Sequence, residues 1–183
     1  MDRIPSQQRE LLAGLVGSTL TRVARVLFDD VSEILENEAY VDRKLGPRDL
    51  FAMSWGPVLL EAGDTQLFLD GTTDSYSIEL EPWQEAFGDG ATLVDASDAA
   101  HAQPRFGAVI GKRITGIRVL QLAAKPDTKL GDRPREAGLC FALEGGAALV
   151  VSFGLIPAPD NLAVGLAEDL PASGWTELFR LPA

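Results

Sequence analysis

Leu60–Gly71 reads LEAGDTQLFLDG, and Leu143–Gly154 repeats the same plan as LEGGAALVVSFG. In both stretches a hydrophobic run enters a glycine-containing turn and a second hydrophobic run leaves it, which is the pattern of a β-hairpin. Gly63 and Gly146 align at the turn, where glycine adopts the positive φ that tight hairpins require. The two stretches therefore predict equivalent hairpins, each with its return strand hydrogen-bonded to its predecessor.

The similarity continues on both sides of these hairpins. Downstream, Asp74–Leu80 (DSYSIEL) parallels Asp160–Leu166 (DNLAVGL). Upstream, Val16–Val23 (VGSTLTRV) resembles Ile110–Ile117 (IGKRITGI). Three matches in the same order indicate an internal duplication, and a repeated supersecondary unit sets the fold.

Alternation of apolar and polar residues identifies the repeated unit as β-structure, since a period of two gives one buried and one wet face. The sequence predicts one domain over residues 1–183, with repeats at approximately 15–81 and 108–168 joined by a linker at 82–107. The predicted fold class is mainly β, with α minor. Two tandem degenerate β-meanders form a sandwich or curved sheet with one or two short helices.

The first repeat begins with an ambiguous segment at residues 15–28, whose hydrophobic spacing also fits a helical stripe. The repeat favours a strand at about 18–28, preceded by a short helix at Gln7–Leu15. A second short helix is predicted within Val31–Ala39. The linker is expected to be surface loop with at most a helical turn.

The second repeat and the C-terminal segment give clearer strand patterns. Val109–Leu122 is predicted to be a long strand. Leu149–Phe153 is apolar at successive positions, which is typical of a central strand covered on both faces. Trp175–Leu181 is predicted to be a final edge strand.

Composition favours a cytoplasmic protein. The 183 residues are 46% hydrophobic, which is enough for a sizeable core. No apolar stretch approaches the roughly 20 residues of a membrane-spanning helix, and Met1–Glu10 has no signal-peptide pattern. The single Cys140 excludes an internal disulfide. Because it lies between Leu139 and Phe141, we interpret it as a buried thiol rather than a nucleophile.

No motif predicts a catalytic, cofactor or metal site. The single His101 is poor material for zinc, and a triad drawn from Ser97, Asp98 and His101 would lie on the linker without a rigid scaffold. Gly107–Arg113 has three residues between its glycines where a phosphate loop needs four. Glu79 and Glu81 share one strand face, where solvation is their more ordinary role.

Charge is the one feature that is distributed unevenly along the sequence. The net charge is −11, which disfavours nucleic acid and anionic membranes and favours basic partners. Residues 105–135 nevertheless carry +6, which leaves −17 for the rest of the chain. The basic segment either binds an anionic surface or protects a strand edge from aggregation. The candidate interaction residues are Lys112, Arg113, Arg118, Arg133, Arg135, Trp83, Glu79 and Glu81.

The function expected from these observations is non-enzymatic protein interaction. The concrete version is an acidic immunity-type inhibitor that neutralises a basic toxin, and the partner is a basic protein or a second copy of the chain. The alternative is a small-molecule-binding protein or enzyme with a pocket between the two repeats.

Overall fold

The computed structural model describes residues 3–36, 46–72, 77–82, 90–122, 136–155 and 162–182. Over these residues the chain forms ten strands in two five-stranded antiparallel sheets. The predicted mainly β fold with two meanders is confirmed. None of the helices in the described ranges is long and apolar enough to cross a membrane.

The first sheet consists of five consecutive strands. These are β1 (Leu20–Leu27), β2 (Val58–Ala62), β3 (Thr65–Thr72), β4 (Ser77–Pro82) and β5 (Thr92–Asp95). Their order in the sheet is β4-β3-β2-β1-β5. Strands β1 to β4 thus form a meander, and β5 returns to pair with β1.

The second sheet repeats this topology with the next five strands. These are β6 (Ile114–Leu122), β7 (Glu136–Leu143), β8 (Ala148–Ser152), β9 (Ala163–Leu166) and β10 (Trp175–Leu181). Their order is β10-β6-β7-β8-β9, so the fifth strand again returns beside the first. β8 is a central strand and β10 is an edge strand, and both predictions are confirmed.

In the described ranges, four short α-helices lie outside the sheets: α1 (Arg9–Leu15), α2 (Val31–Glu36), α3 (Leu50–Met53) and α4 (Pro104–Gly107). The ambiguous segment is divided as the repeat indicated, because α1 ends at Leu15 and β1 starts five residues later. α2 lies within the predicted helix, whose last three positions fall outside the described residues.

The two halves meet at a point of local twofold symmetry. Thr19 and Arg113 form an isolated antiparallel bridge. The Gly17 N–H donates to the Ile114 carbonyl at 2.8 Å, and the Gly111 N–H donates to the Leu20 carbonyl at 2.8 Å. In the upstream sequence match, Gly17 corresponds to Gly111 and Leu20 corresponds to Ile114. The local twofold symmetry therefore converts one of these hydrogen bonds into the other. The upstream sequence match therefore has a structural basis.

The hairpins are equivalent, but the sequence alignment through them was wrong. Leu60 lies opposite Val23 of β1, and its structural counterpart opposite Ile117 of β6 is Phe141, not Leu143. The first turn contains two residues and the second contains three, two of which, Gly145 and Gly146, adopt positive φ (83° and 86°). A residue-by-residue match cannot persist through turns of different length.

The predicted linker also needs correction, since it contains β5 and α4. The strand pairs with β1 through Val94 opposite Arg25, and only four residues are involved, too few for alternation to be recognised. The long strand predicted from Val109 starts later, at Ile114. Gly111, at φ 83°, belongs to the turn that precedes it.

The inner faces of both sheets contribute to one hydrophobic cluster. A Cβ on Gly71 of β3 would overlap the ring of Phe153, which follows β8. This glycine therefore allows the two sheets to approach closely.

Candidate interaction surfaces

The outer side of the first sheet concentrates carboxylates, and we call it the acidic face. Strand alternation explains this, because Leu60, Leu69 and Ile78 point into the core and their neighbours point outward. The acidic face is defined by Glu61, Asp70, Glu79, Glu81 and Asp95.

Arginines neutralise part of the acidic face. Nε of Arg22 lies 2.6 Å from Oδ1 of Asp95, and its NH1 lies 3.7 Å from Oε1 of Glu61. The hydrogen bond with Asp95 raises the pKa of Arg22 above its ordinary value. Arg3 pairs with Glu81 at the edge strand.

Asp70 and Glu79 form the uncompensated part of the acidic face. They lie directly opposite each other on β3 and β4, and like charges at such positions destabilise a sheet. Asp70 accepts a hydrogen bond from the Gly71 N–H at 2.7 Å. Among the described residues, neither carboxylate has an ion-pair partner. This arrangement maintains negative charge at a cost to stability.

The centre of the acidic face is apolar. Ala24, Val26, Leu59 and Phe68 form a buried cluster separate from the main core, and Leu93 packs against it. These four side chains are only 0–2% exposed, so the part of the acidic face that a partner can reach is formed by its carboxylates.

The outer side of the second sheet is basic at its edge. Arg118 and Arg180 lie opposite each other on β6 and β10. NH2 of Arg118 lies 3.0 Å from Sγ of Cys140, which is fully buried as predicted. Arg180 donates to Glu177 at 2.9 Å, and this bond lowers the pKa of Glu177.

The candidate residues of the sequence analysis do not form one surface. Lys112 and Arg113 lie at the junction of the halves, where NH2 of Arg113 is 3.6 Å from Oε1 of Glu144. Arg118 lies on the outer side of the second sheet, and Glu79 and Glu81 belong to the acidic face. Three further candidates lie outside the described residues: Trp83, Arg133 and Arg135.

A cleft between the two halves has a volume of about 160 Å³. A chain of polar side chains crosses it. Gln103 donates to Asp49 at 3.0 Å, Arg105 donates to Gln103 at 3.0 Å, and Arg105 donates to Asp169 at 2.8 Å. These polar groups satisfy one another. The cleft is smaller than the roughly 300–1,000 Å³ of typical ligand pockets.

Two aromatic side chains form an exposed patch at one end of the first sheet. Phe28 directly follows β1 and is 57% exposed, and Trp55 precedes β2 and is 50% exposed. With Asp29, Ile34 and Gly56 they line a shallow cavity of about 80 Å³. The sequence analysis did not bring these two residues together, because Phe28 and Trp55 are distant from each other in the chain.

Arg25 was also missed, and it is fully buried among core residues. Its guanidinium donates to four carbonyl oxygens at 2.6 to 3.1 Å: those of Phe51, Ala52, Gly56 and Leu162. Three acceptors belong to the first half and Leu162 belongs to the second. Burial lowers the pKa of Arg25 to about 9. The hydrogen bonds of this side chain therefore connect the two halves.

His101 belongs to a local turn. Its Nδ1 lies 2.8 Å from Oδ2 of Asp98, and this hydrogen bond lowers the pKa of Asp98. Asp98 also accepts the Ala100 N–H at 2.8 Å. Over the described ranges, no hydrogen bond joins Ser97 to His101, and no three His, Cys, Asp or Glu residues are grouped as metal ligands.

Comparison with known proteins gave no relative. No family model, no curated protein and no solved structure matches this chain significantly.

Proposed function

We propose that this protein is a non-enzymatic interaction module that binds a basic protein through its acidic face. The observation that carries the proposal is the pair Asp70 and Glu79, two carboxylates held opposite each other without a cation among the described residues. A cationic partner side chain placed between them relieves their repulsion, so binding and local stability favour the same complex.

The charge of the whole chain supports the same partner class. A net charge of −11 attracts a basic protein at long range and accelerates encounter. The concrete biological form we propose is an immunity-type inhibitor that covers the functional surface of a basic toxin. We place this function in the cytoplasm, where a lone buried thiol such as Cys140 stays reduced.

A small-molecule-binding or enzymatic function is the second candidate, and in the described part of the chain the cleft between the halves offers it a location. Its volume of about 160 Å³ suits only a very small ligand. Arg105 already satisfies Gln103 and Asp169 there, so a ligand would have to replace existing hydrogen bonds. We therefore rank protein binding first.

The test is affinity capture from the native host with three proteins: wild type, a D70N/E79Q variant and an E144Q/E168Q control. Glu144 and Glu168 are exposed carboxylates on the second half, so the control removes the same charge away from the acidic face. Captured proteins are identified, purified and measured for direct binding at low and high salt.

The proposal predicts a basic partner whose affinity falls with salt and is about tenfold weaker for D70N/E79Q, with the control close to wild type. A partner insensitive to salt, or equal binding by all three proteins, would overturn it. Capture of only the chain itself would also overturn it, and light scattering across the same salt series would then define the self-association.

A further inference from the structure

We propose that β10 is the interface of a twofold symmetric dimer, in which the β10 strands of two copies pair antiparallel and join their second sheets into one. This inference goes beyond the proposed function, because β10 belongs to the second sheet and the acidic face belongs to the first. It is carried by an open strand edge whose charged residues complement those of a second copy. An exposed edge is a template on which another strand can pair.

The other sheet edges meet further elements of the chain. At β4, the Leu80 N–H donates to the Arg3 carbonyl at 2.8 Å, so the N-terminal segment occupies part of this edge. The helix α3 packs against both β5 and β9, which are the remaining edge strands. β10 differs, because the only described strand beside it is β6. The helix α1 approaches its inner side, where the Arg9 guanidinium lies 4.1 Å from the centre of the Phe179 ring.

The side chains of β10 are open to a partner. Four of its seven residues are exposed: Thr176, Glu177, Leu178 and Arg180. Leu178 is a large apolar side chain and is 37% exposed. The strand is also rich in residue types that favour β-pairing, including Trp175. Pairing with a second copy would cover Leu178 and satisfy the backbone groups of the open edge.

A β-bulge determines which residues of β10 share a face. The register against β6 shifts between Glu177 and Phe179, so Leu178 is an extra residue in the strand. Glu177 and Arg180 therefore lie on the same side. Nε of Arg180 lies 3.1 Å from Oε1 of Glu177, and its NH2 lies 2.9 Å from Oε2. NH1 of Arg180 takes no part in this pair, so it remains available to a second carboxylate.

A twofold axis between Leu178 and Phe179 makes the strand complementary to itself. Antiparallel pairing about this axis places Glu177 of one copy opposite Arg180 of the other, and symmetry repeats the pair. The two intrachain ion pairs thus merge into one cluster of alternating charge, which stabilises a strand pair. The same register places Leu178 opposite Phe179. A parallel, in-register pair would instead place Glu177 opposite its own copy.

The expected dimer is weak, because two strands of seven residues bury little area. The net charge of −11 on each copy also opposes association. At about 0.15 M salt this long-range repulsion is screened beyond about 8 Å, whereas the facing charges of β10 are in direct contact. We therefore expect a dissociation constant on the order of tens of micromolar.

The test is sedimentation equilibrium of the full chain at about 0.15 M salt, with the variants E177R and R180E. Each variant places like charges opposite each other on both sides of the twofold axis, so we expect dimerisation at least about tenfold weaker. An equal mixture of the two variants places opposite charges at both positions, so the dimer should recover. The exchanged variant E177R/R180E should also dimerise like wild type.

The control is E144R, because Glu144 is exposed and paired with an arginine but lies outside β10. It should dimerise like wild type. Recovery in the mixture also shows that both single variants are folded. Amide hydrogen exchange gives a second measurement, and the β10 amides should exchange more slowly at concentrations at which the dimer forms.

A chain that stays monomeric up to about 1 mM would overturn the proposal, as would a dimer unaffected by E177R or a mixture without recovery. A dimer that D70N/E79Q weakens and E177R does not would be an association through the acidic face, and it too would overturn the β10 interface. The proposed function is tested separately, because a basic partner bound by the acidic face should bind E177R as it binds wild type.

Discussion

Replacement of Arg25 by methionine tests whether the buried guanidinium stabilises the fold. Methionine retains most of the buried volume, so R25M isolates the loss of the hydrogen bonds from the loss of packing. The variant leaves four buried carbonyl oxygens, including those of Gly56 and Leu162, without their donor. It also removes a charge that was transferred from water into the core.

The two effects oppose each other, and their magnitudes can be compared. A hydrogen bond from a charged group contributes about 1.5–3 kcal/mol, so four contribute roughly 6–12 kcal/mol. Burial lowers the pKa of Arg25 from its ordinary value to about 9, which corresponds to roughly 5 kcal/mol of unfavourable burial. The hydrogen-bond contribution is larger, and the difference of roughly 1–7 kcal/mol leads us to expect that R25M lowers the free energy of unfolding by about 4 kcal/mol.

Urea unfolding followed by circular dichroism measures this difference at pH 7 and again at pH 10. Burial lowers the pKa of Arg25 to about 9, so above this pH the unfolded chain binds the Arg25 proton more tightly than the folded chain. The free-energy cost of burying the charged guanidinium therefore falls as pH rises above 9. Other ionisable groups cancel in the difference between wild type and R25M. R25K serves as the control for charge, since lysine lacks the planar fork.

An R25M protein as stable as wild type, or more stable, would refute this reasoning. It would mean that desolvation of the guanidinium exceeds the value of its four bonds, as occurs for some buried ion pairs. An R25K protein with full stability would refute the role assigned to the fork geometry.

Two further substitutions test local features by the same unfolding assay. G56A is expected to lower the free energy of unfolding by more than about 2 kcal/mol, because Gly56 has a positive φ and an added Cβ would overlap the Val26 carbonyl. The control G14A, which has open space around it in α1, should raise the free energy of unfolding by about 0.5–1 kcal/mol. Equal effects of the two substitutions would contradict the strain at Gly56. In the fully buried Glu136, Oε2 accepts the Ser6 N–H at 2.6 Å, and Oε1 has no hydrogen-bond partner in the described structure. Because E136Q removes the charge of this buried group, we expect it to raise the free energy of unfolding by about 1 kcal/mol. A less stable E136Q, with the exposed E10Q as control, would show that the carboxylate is required.

The parts of the fold that local pattern determines were predictable. Glycine at Gly63 marks a tight turn, and alternation around Leu69 and Ile78 marks strands with one buried face. The register between the halves was not predictable, because the turn at Gly145 is one residue longer than its counterpart. The strand β5 was missed because only Val94 and its three neighbours define it.

The candidate surfaces were harder to predict, since they depend on which distant residues meet. Glu79 was recognised as an outward carboxylate, but its position opposite Asp70 requires the strand register. Phe28 and Trp55 come together only because β1 and β2 are paired across an intervening stretch of chain. Arg25 gave no signal at all, because its partners are backbone carbonyls, which have no identity in a sequence.

Each sheet is made of consecutive strands, and this has a consequence for synthesis on the ribosome. The hydrogen-bonded ladder of the first sheet is complete once Asp95 has emerged, before any strand of the second sheet exists. Its inner surface, with Leu60 and Leu69, then remains open to water until the later strands arrive. A nascent chain released at the midpoint therefore displays a bare apolar sheet, and such truncated products should aggregate or pair with one another.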